Sequence, residues 1–308
     1  MEGGKMRKKV LILVNRSSGR KKGASGLMSI IEKAAKSGFE PVVYPILPGT
    51  KLDSESLLDR YEGKVEQVLC IGGDGTLNHV VNKVMTMDKK PMLAYMPSGS
   101  TNDFSKSLGM TDNFQKKLGI AFGDRTISYD IGNINGRYFN YTAAFGAFSK
   151  VSYSTDQKLK NVLGYPAYVL TAVMTLQQNL GFKRHIEMVV DGVKEEGDYV
   201  FGAVCNSISI GGMSILEKAH VQIDDGKMEL LLIKAPRNPI ELEQTIATLI
   251  RGETGNPNVT LRQIRHAVFR AEEGLAWSID GEYGGNYHKS DISVVEKAIT
   301  IKCGPVRK

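Results

Sequence analysis

Cysteine is scarce: Cys70, Cys205 and Cys303 are the three in 308 residues. Each lies in an apolar, strand-like run and no Cys-x-x-Cys spacing occurs, which argues against a redox dithiol or a disulfide framework. Reduced core thiols of a cytoplasmic protein are the expectation. Long hydrophobic runs are also missing. "MRKKVLILVN" starts basic, but its apolar run is shorter than the ~7–15 residues of a secretory core, so it reads as a first buried strand. The greasiest stretch, Val162 to Leu180, contains Gly164, Pro166 and a Gln-Gln-Asn triplet. A spanning helix wants ~20 predominantly apolar residues, so this is a core or membrane-resting helix. No internal repeat and no low-complexity segment is present, and no Gly-Lys-Ser/Thr phosphate loop.

What is present is an ordinary globular composition, 42% hydrophobic and 24% charged, in a length that suits two domains. The net charge of +7 concentrates at the N-terminus, where Lys5, Arg7, Lys8, Lys9, Arg16, Arg20, Lys21 and Lys22 face only Glu2. Such a run is either a solvated face or an attraction to nucleotide phosphates or an anionic lipid surface. Aromatic residues do not interleave with it, so nucleic acid is not expected as a partner.

The first ~130 residues alternate strand and helix, the pattern of a parallel sheet. Strand-like runs are "KVLILVN", "EPVVYPIL", "VEQVLCI" and "PMLAYMP"; helical patterns lie near 24–36, 54–61, 76–87 and 113–121. The strand ends carry "NRSSGRKKG", "GGDGT" and "PSGSTNDF", and ligands of open α/β sheets bind beyond such carboxyl ends. After Asp130 the texture turns to hairpins, with Asn135-Gly136 and Asp191-Gly192 as two-residue turns. Few helices follow: one before Gly181, and "PIELEQTIATLIRG". The second half is expected to be mostly antiparallel β.

The stretch "VLCIGGDGTLNHVVNKV", from Val68, runs a strand into glycines and restarts as a helix at Thr76. Glycines let backbone amides approach phosphate oxygens, and a helix start adds partial positive charge. Asp74 is either a helix cap or a functional carboxylate. The next strand end supplies a second aspartate, Asp103. Two carboxylates beside a phosphate cradle suit Mg2+, which takes one or two of them with water and phosphate oxygens.

"GGDGTLN", "PSGSTNDF", "DIGNINGRYFNY" and "SIDGE", in this order and spacing, resemble the diacylglycerol kinase catalytic-domain family, most closely its bacterial soluble lipid kinases. The resemblance covers nearly the whole chain. It implies an α/β fold in two domains. Residues 1–128, with a returning strand at 296–308, would form an ATP-binding α/β domain like that of NAD kinases. Residues 129–295 would form an antiparallel β-sandwich-like lipid domain, with the active site in the cleft between the two.

Carried over residue by residue, the resemblance places the nucleotide at Gly73, Asp74, Gly75, Thr76 and Asn78. The loop Asn15, Arg16, Ser17, Ser18, Gly19 and Ser100 join the same site. Asp74, Asp103 and Asp130 match a trio linked through Mg2+ and water, and Glu282 matches the catalytic base. A further magnesium site would use the Asp225 side chain with the carbonyls of Gln222 and Lys227. Asp280 and Arg20 are supporting residues. Read locally, Asp280-Gly281 and Asp225-Gly226 are only hairpin turns, Glu282 is an exposed residue after one of them, and His79 is a helix-surface position. Arg16 replaces a proline common in the family, Ser100 a threonine and Lys106 an arginine; a proline common before the Asp225 turn is missing.

The function so implied is transfer of the γ-phosphate of ATP to a lipid alcohol, from a cytoplasmic protein resting on the anionic inner face of the membrane. The family also suggests a homodimer through the β domain. An NAD kinase and a non-catalytic lipid- or nucleotide-binding relative are the alternatives. The first is disfavoured by the missing Asn-Glu context, the second by the retention of Asp74, Asp103 and Glu282.

Overall fold

The computed structural model describes residues 8–15, 26–99, 102–146, 183–208, 221–251 and 255–305. The chain divides into two compact units, Met1–Tyr129 with Lys297–Lys308, and Asp130–Glu296.

In the first unit β1 (Lys8–Val14), β2 (Phe39–Pro45), β3 (Gln67–Gly72) and β4 (Met92–Pro97) form a parallel sheet in the order β2-β1-β3-β4. Val10 pairs with Gln67 and Gln67 with Met92, so the carboxyl ends of β3 and β4 finish level. The end of β13 (Glu282–Lys302) adds a parallel partner, Ile301 opposite Leu93. Gly304 then donates its amide to Leu108 O at 2.9 Å.

Every residue of β3 is buried, as expected of a strand covered on both faces. Val10, Ile12, Leu69, Ile71, Ala94 and Met96 pack with Ile30 and Ala34 of α1 (Leu27–Lys36) and Leu118 and Ala121 of α5 (Phe114–Ala121). The alternate side chains, Leu11, Leu13, Val68 and Cys70, point the other way. Asp53 caps α2 (Ser54–Tyr61) by accepting the Ser56 amide at 2.7 Å, and Asn113 does the same for α5 with Lys116.

α3 spans Asp74–Met85 and buries Leu77, Val80, Val81 and Val84. It begins two residues before the expected Thr76, with Gly73 as its cap. Asp74 is therefore not the capping residue; it stands in the first turn, where its side chain is committed elsewhere. A short helix, α4 (Asp103–Ser107), follows Asn102, which adopts a left-handed conformation with φ 49°.

The second unit is antiparallel. Its strands are β6 (Arg137–Phe139), β7 (Thr142–Gly146), β8 (Arg184–Val190), β9 (Val193–Cys205), β10 (Met228–Lys234), β11 (Val259–Ile264), β12 (His266–Ile279), the last part of β5 (Thr126–Ile134) and the first part of β13. The main order is β11-β10-β9-β7-β12-β13, and β8 pairs with both β9 and β12. Asn135-Gly136, Asp191-Gly192 and Asp280-Gly281 all hold positive φ at both positions, the demand of a type I′ turn.

The centre of this unit is a cluster of three rings. Phe145 and Phe269 each meet Trp277 edge-on, with centroids 5.0 and 5.6 Å away. The indole Nε1 donates to Ser290 Oγ at 2.7 Å. One helix, α6 (Pro239–Arg251), places Leu242 in a second apolar cluster with Phe201, Leu231 and Ile233. The helix expected before Gly181 lies outside the described residues. No described helix is long and apolar enough to cross a membrane.

Candidate active site and cation turn

Two loops of the first unit touch at their backbones. A Cβ built on Gly99 would lie 2.8 Å from Gly73 Cα, and one on Gly73 would lie 3.3 Å from Gly99 Cα. Such distances exclude a side chain at Gly99 without a shift of backbone. Gly72 is closed in the same way by Thr76, 2.6 Å away. The glycines therefore serve close approach, not flexibility.

Asn102 locks the second loop. Its Oδ1 accepts the Gly99 amide and its Nδ2 donates to Gly99 O, both at 2.8 Å. The amide of Asp103 donates to Asp74 Oδ2 at 3.0 Å, so α4 begins on the side chain of α3's first residue. Both carboxylates are buried, and Lys106 Nζ lies 3.6 Å from Asp103 Oδ1. Asn15, at the end of β1, donates from Nδ2 to Thr76 Oγ1 at 2.8 Å. Asn78 is buried and accepts from Asn82 Nδ2. His79 is exposed.

The structure thus brings Asn15, Gly73, Asp74, Gly75, Thr76 and Asp103 together at the carboxyl end of the parallel sheet, while Asn78, one turn further along α3, is buried with Asn82 as its partner. The amides of Gly75 and Thr76 have no acceptor within the helix, as at any helix start, where the helix carries partial positive charge. Arg16, Ser17, Ser18, Gly19, Arg20 and Ser100 lie outside the described residues. Tyr95 was not expected here. Its hydroxyl stands 3.4 Å from Asp74 Oδ1 and 3.5 Å from Asn102 Oδ1. Burial, and then the Asp74 carboxylate, holds the Tyr95 phenol protonated well above its ordinary range.

In the second unit Glu282 opens β13, exposed, opposite Ile279. The turn that delivers it is fastened by Asp280. Asp280 Oδ2 accepts from Asn140 N and Nδ2 at 2.7 and 3.0 Å, and Oδ1 from the amides of Tyr141 and Thr142 at 3.0 Å each. A buried carboxylate accepting this many N–H groups is fully justified without a counter-cation.

The Asp225 turn is fastened from another side. Asp130 is fully buried, and its Oδ2 accepts the Gly226 amide at 2.6 Å. The Lys227 amide donates to Asp225 Oδ1 at 3.0 Å. Gln222 is exposed and Lys227 half-buried. Gln263 Nε2 donates to Asp225 Oδ2 at 3.2 Å and to Glu229 Oε1 at 3.3 Å. Glu229 is not among the residues singled out from the sequence; its signal is a lone glutamate inside the apolar run "MELLLIK". Burial pushes its carboxyl up to about 7, the Gln263 hydrogen bond opposes the rise, and Asp225 adds to it.

Among the described residues no three His, Cys, Asp or Glu side chains converge as a complete metal cage. Among the described residues the possible ligands at both places are carboxylate and carbonyl oxygens, with no thiolate or imidazole. Such a set fits a hard cation that keeps water and borrows phosphate oxygens, as Mg2+ does. Among the described residues one carboxylate oxygen of Glu229 has no hydrogen-bond partner.

The chain is thus a protein of two parts, a parallel α/β unit with a glycine-rich helix start beside two buried carboxylates and an antiparallel β unit. Comparison with known proteins agrees. Residues 9–134 match the diacylglycerol kinase catalytic domain, and residues 143–303 match the YegS C-terminal NAD kinase beta sandwich-like domain. A diacylglycerol kinase of Staphylococcus carnosus is 31% identical over 281 residues, covering 91% of this chain and 90% of the relative. One from Staphylococcus aureus is 30% identical over 283 residues, covering 91% and 88%. A solved diacylglycerol kinase of Bacillus anthracis superposes with a TM-score of 0.76 at 19% identity, covering 98% of this chain and 99% of the other. A second structure from that organism reaches 0.81 at 21% identity, covering 97% and 98%; both likenesses speak for the fold. The chain belongs to the diacylglycerol kinase family, a family of lipid kinases.

Proposed function

We propose that the protein moves the γ-phosphoryl group of ATP, with Mg2+, to the hydroxyl of a lipid alcohol such as diacylglycerol. The observation that supports this most is the Gly73–Gly99 contact, which sets a backbone cradle beside Asp74 and Asp103. In this reading the amides of Gly75 and Thr76 bind phosphate oxygens, Asn15 holds Thr76, and Asn78 joins the same site from one turn further along α3. The family pattern adds Arg16 to Gly19, Arg20 and Ser100. Following the family resemblance, Asp74, Asp103 and Asp130 would be linked through magnesium and water, and Asp225 with the carbonyls of Gln222 and Lys227 would hold a second ion.

Magnesium, when bound, neutralises phosphate charge. Glu282 accepts the proton of the lipid hydroxyl, whose oxygen forms the new bond to the γ-phosphorus as the bond to the β-phosphate oxygen breaks. Phosphoryl transfer asks a protein mainly for positioning and charge stabilisation. The exposure of Glu282 leaves it open to an acceptor, and Asp280 fixes its turn. The basic N-terminal run docks the protein on an anionic membrane, each cation near the surface contributing ~1 kcal/mol in a salt-sensitive way. A homodimer through the β unit completes the reading.

The test is γ-phosphate transfer from labelled ATP to mixed micelles of several lipid alcohols, with NAD as a soluble control. Label in diacylglycerol or a related lipid, lost in Glu282→Gln with ATP affinity kept, supports the proposal. Label in NAD, or none in any alcohol, overturns it.

A further inference from the structure

Glu229 stands in the middle of a strand whose neighbours Met228, Leu230, Leu231, Leu232 and Ile233 are all buried, and is itself 3% exposed. The proposed chemistry at Glu282 makes no use of it. Its Oε1 receives one long hydrogen bond from Gln263, and its Oε2 receives none among the described residues. No described Lys, Arg or His forms an ion pair with it. A carboxylate so placed needs a positive partner or a proton.

The surroundings show on which side that partner stands. Glu229 lies opposite Gln263 in the β10–β11 register. The single Nε2 of Gln263 reaches both Glu229 and Asp225, bridging the two carboxylates. Lys227 Nζ lies 3.3 Å from Gln263 Oε1, which fixes the amide with its NH2 toward the acids. The other charged side chains near the turn are Arg265, Arg262 and Glu296, the last adding a further carboxylate within 3.3 Å of a Cβ built on Gly226. Arg265 Nη1 donates to Gly226 O, and Arg262 Nη2 pairs with Glu195.

We propose that Glu229 is a second carboxylate partner, directly or through one water, of a divalent cation held at the Asp225–Lys227 turn. The inference rests on the reading of that turn as a cation site and deepens it. Mg2+ accepts one or two carboxylates and keeps several waters, so Asp225, Glu229, two carbonyls and water are sufficient. The consequence reaches Asp130, because its Oδ2 holds the Gly226 amide of the same turn. A cation at this place therefore orders the turn against which Asp130 is set.

The experiment follows Mn2+ binding by calorimetry, and the thermal midpoint in Mg2+ against EDTA, on the full chain without nucleotide. Asp225→Asn locates the signal at the turn by removing it. Glu229→Gln is expected to weaken Mn2+ binding by about tenfold or more and to shrink the Mg2+-dependent rise in midpoint. Its midpoint in EDTA is expected to match or exceed that of the unaltered chain. Glu229→Asp, with charge kept and reach shortened, is expected to fall between and is read instead if the glutamine variant does not fold. Unchanged Mn2+ affinity in Glu229→Gln, with loss in Asp225→Asn, overturns the role of Glu229 while the cation turn stands. No binding by the unaltered chain overturns the cation turn itself, and Glu229 with it.

Discussion

Asp280 and Asn140 are joined twice: one carboxylate oxygen of Asp280 accepts both the backbone amide and the side-chain amide of Asn140. The other oxygen takes the next two amides of the same segment. Asp280 also occupies the left-handed region, φ 47°, as the first residue of the turn that carries Glu282. One side chain thus sets the turn geometry and ties it to the start of β7.

Asp280→Asn tests that tie without straining the backbone, since asparagine tolerates the left-handed region. The amide has one acceptor oxygen, so its NH2 must face two N–H donors whichever way it turns. The expected loss is about 3 kcal/mol, the scale of breaking a buried charged hydrogen-bond set. That corresponds to a fall in midpoint of about 6–12 °C for a unit of this size. Trp277 is the only tryptophan, so its fluorescence reports this unit alone. A variant within ~1 kcal/mol of the unaltered chain would contradict the assignment. Phosphoryl transfer should fall through kcat, with the KM for ATP little changed.

Gly99→Ala addresses the first unit. The added methyl would stand 2.8 Å from both Gly73 Cα and Asn102 Oδ1, so the two loops must part. ATP affinity is expected to fall about tenfold, the ~1.4 kcal/mol of a modest loop strain. The Trp277 unfolding transition should not move. Equal ATP binding in the variant would show that the loop contact is not part of the nucleotide cradle.

These relationships divide by how far they reach along the chain. The three two-residue turns are legible because Asn-Gly and Asp-Gly satisfy a local backbone demand. The parallel sheet is legible because strands buried on both faces read as continuous apolar runs. The bond from the Asp103 amide to Asp74 crosses 29 positions, and that from Asn140 to Asp280 crosses 140. No periodicity reports such pairings; they follow from which strand ends the sheet brings level. Tyr95 is hidden for the same reason, being an unremarkable residue of an apolar strand until Asp74 is set beside it. α3 begins two residues ahead of its sequence signal at Thr76 because a glycine cap carries no side-chain signal. Glu229 was readable in principle, as a carboxylate where the strand pattern has only room for apolar residues.

Thiol chemistry gives a pH-dependent expectation. Burial pushes the Cys70 thiol up to about 12 and raises that of Cys303, and Cys205 is also buried. The thiolate is the reactive form, so at about pH 8 the native chain should react with an aromatic disulfide at none of these positions, and at all three in guanidinium. The folded state keeps the Cys70 proton that the unfolded chain releases near ~8.5. Its contribution to stability is therefore present below that pH and declines as pH rises toward about 12. Fast labelling of Cys70 in the native chain would refute its burial.

Ser290→Ala removes the acceptor of the Trp277 indole and leaves a buried N–H donor with nothing to replace it. The substitution deletes one oxygen, so the cavity it opens is small and the cost is chiefly the orphaned donor. About 1–3 kcal/mol is expected, the penalty for a buried polar group left unsatisfied. Ser290→Cys offers a weak acceptor of similar size and should recover part of it. The rings of Phe145 and Phe269 still enclose Trp277, so its emission should remain that of a buried indole while the midpoint falls. A shift to solvent-exposed emission would mean instead that the hydrogen bond, and not the aromatic packing, holds the indole in place. Unchanged stability in Ser290→Ala would mean that the indole N–H finds another acceptor.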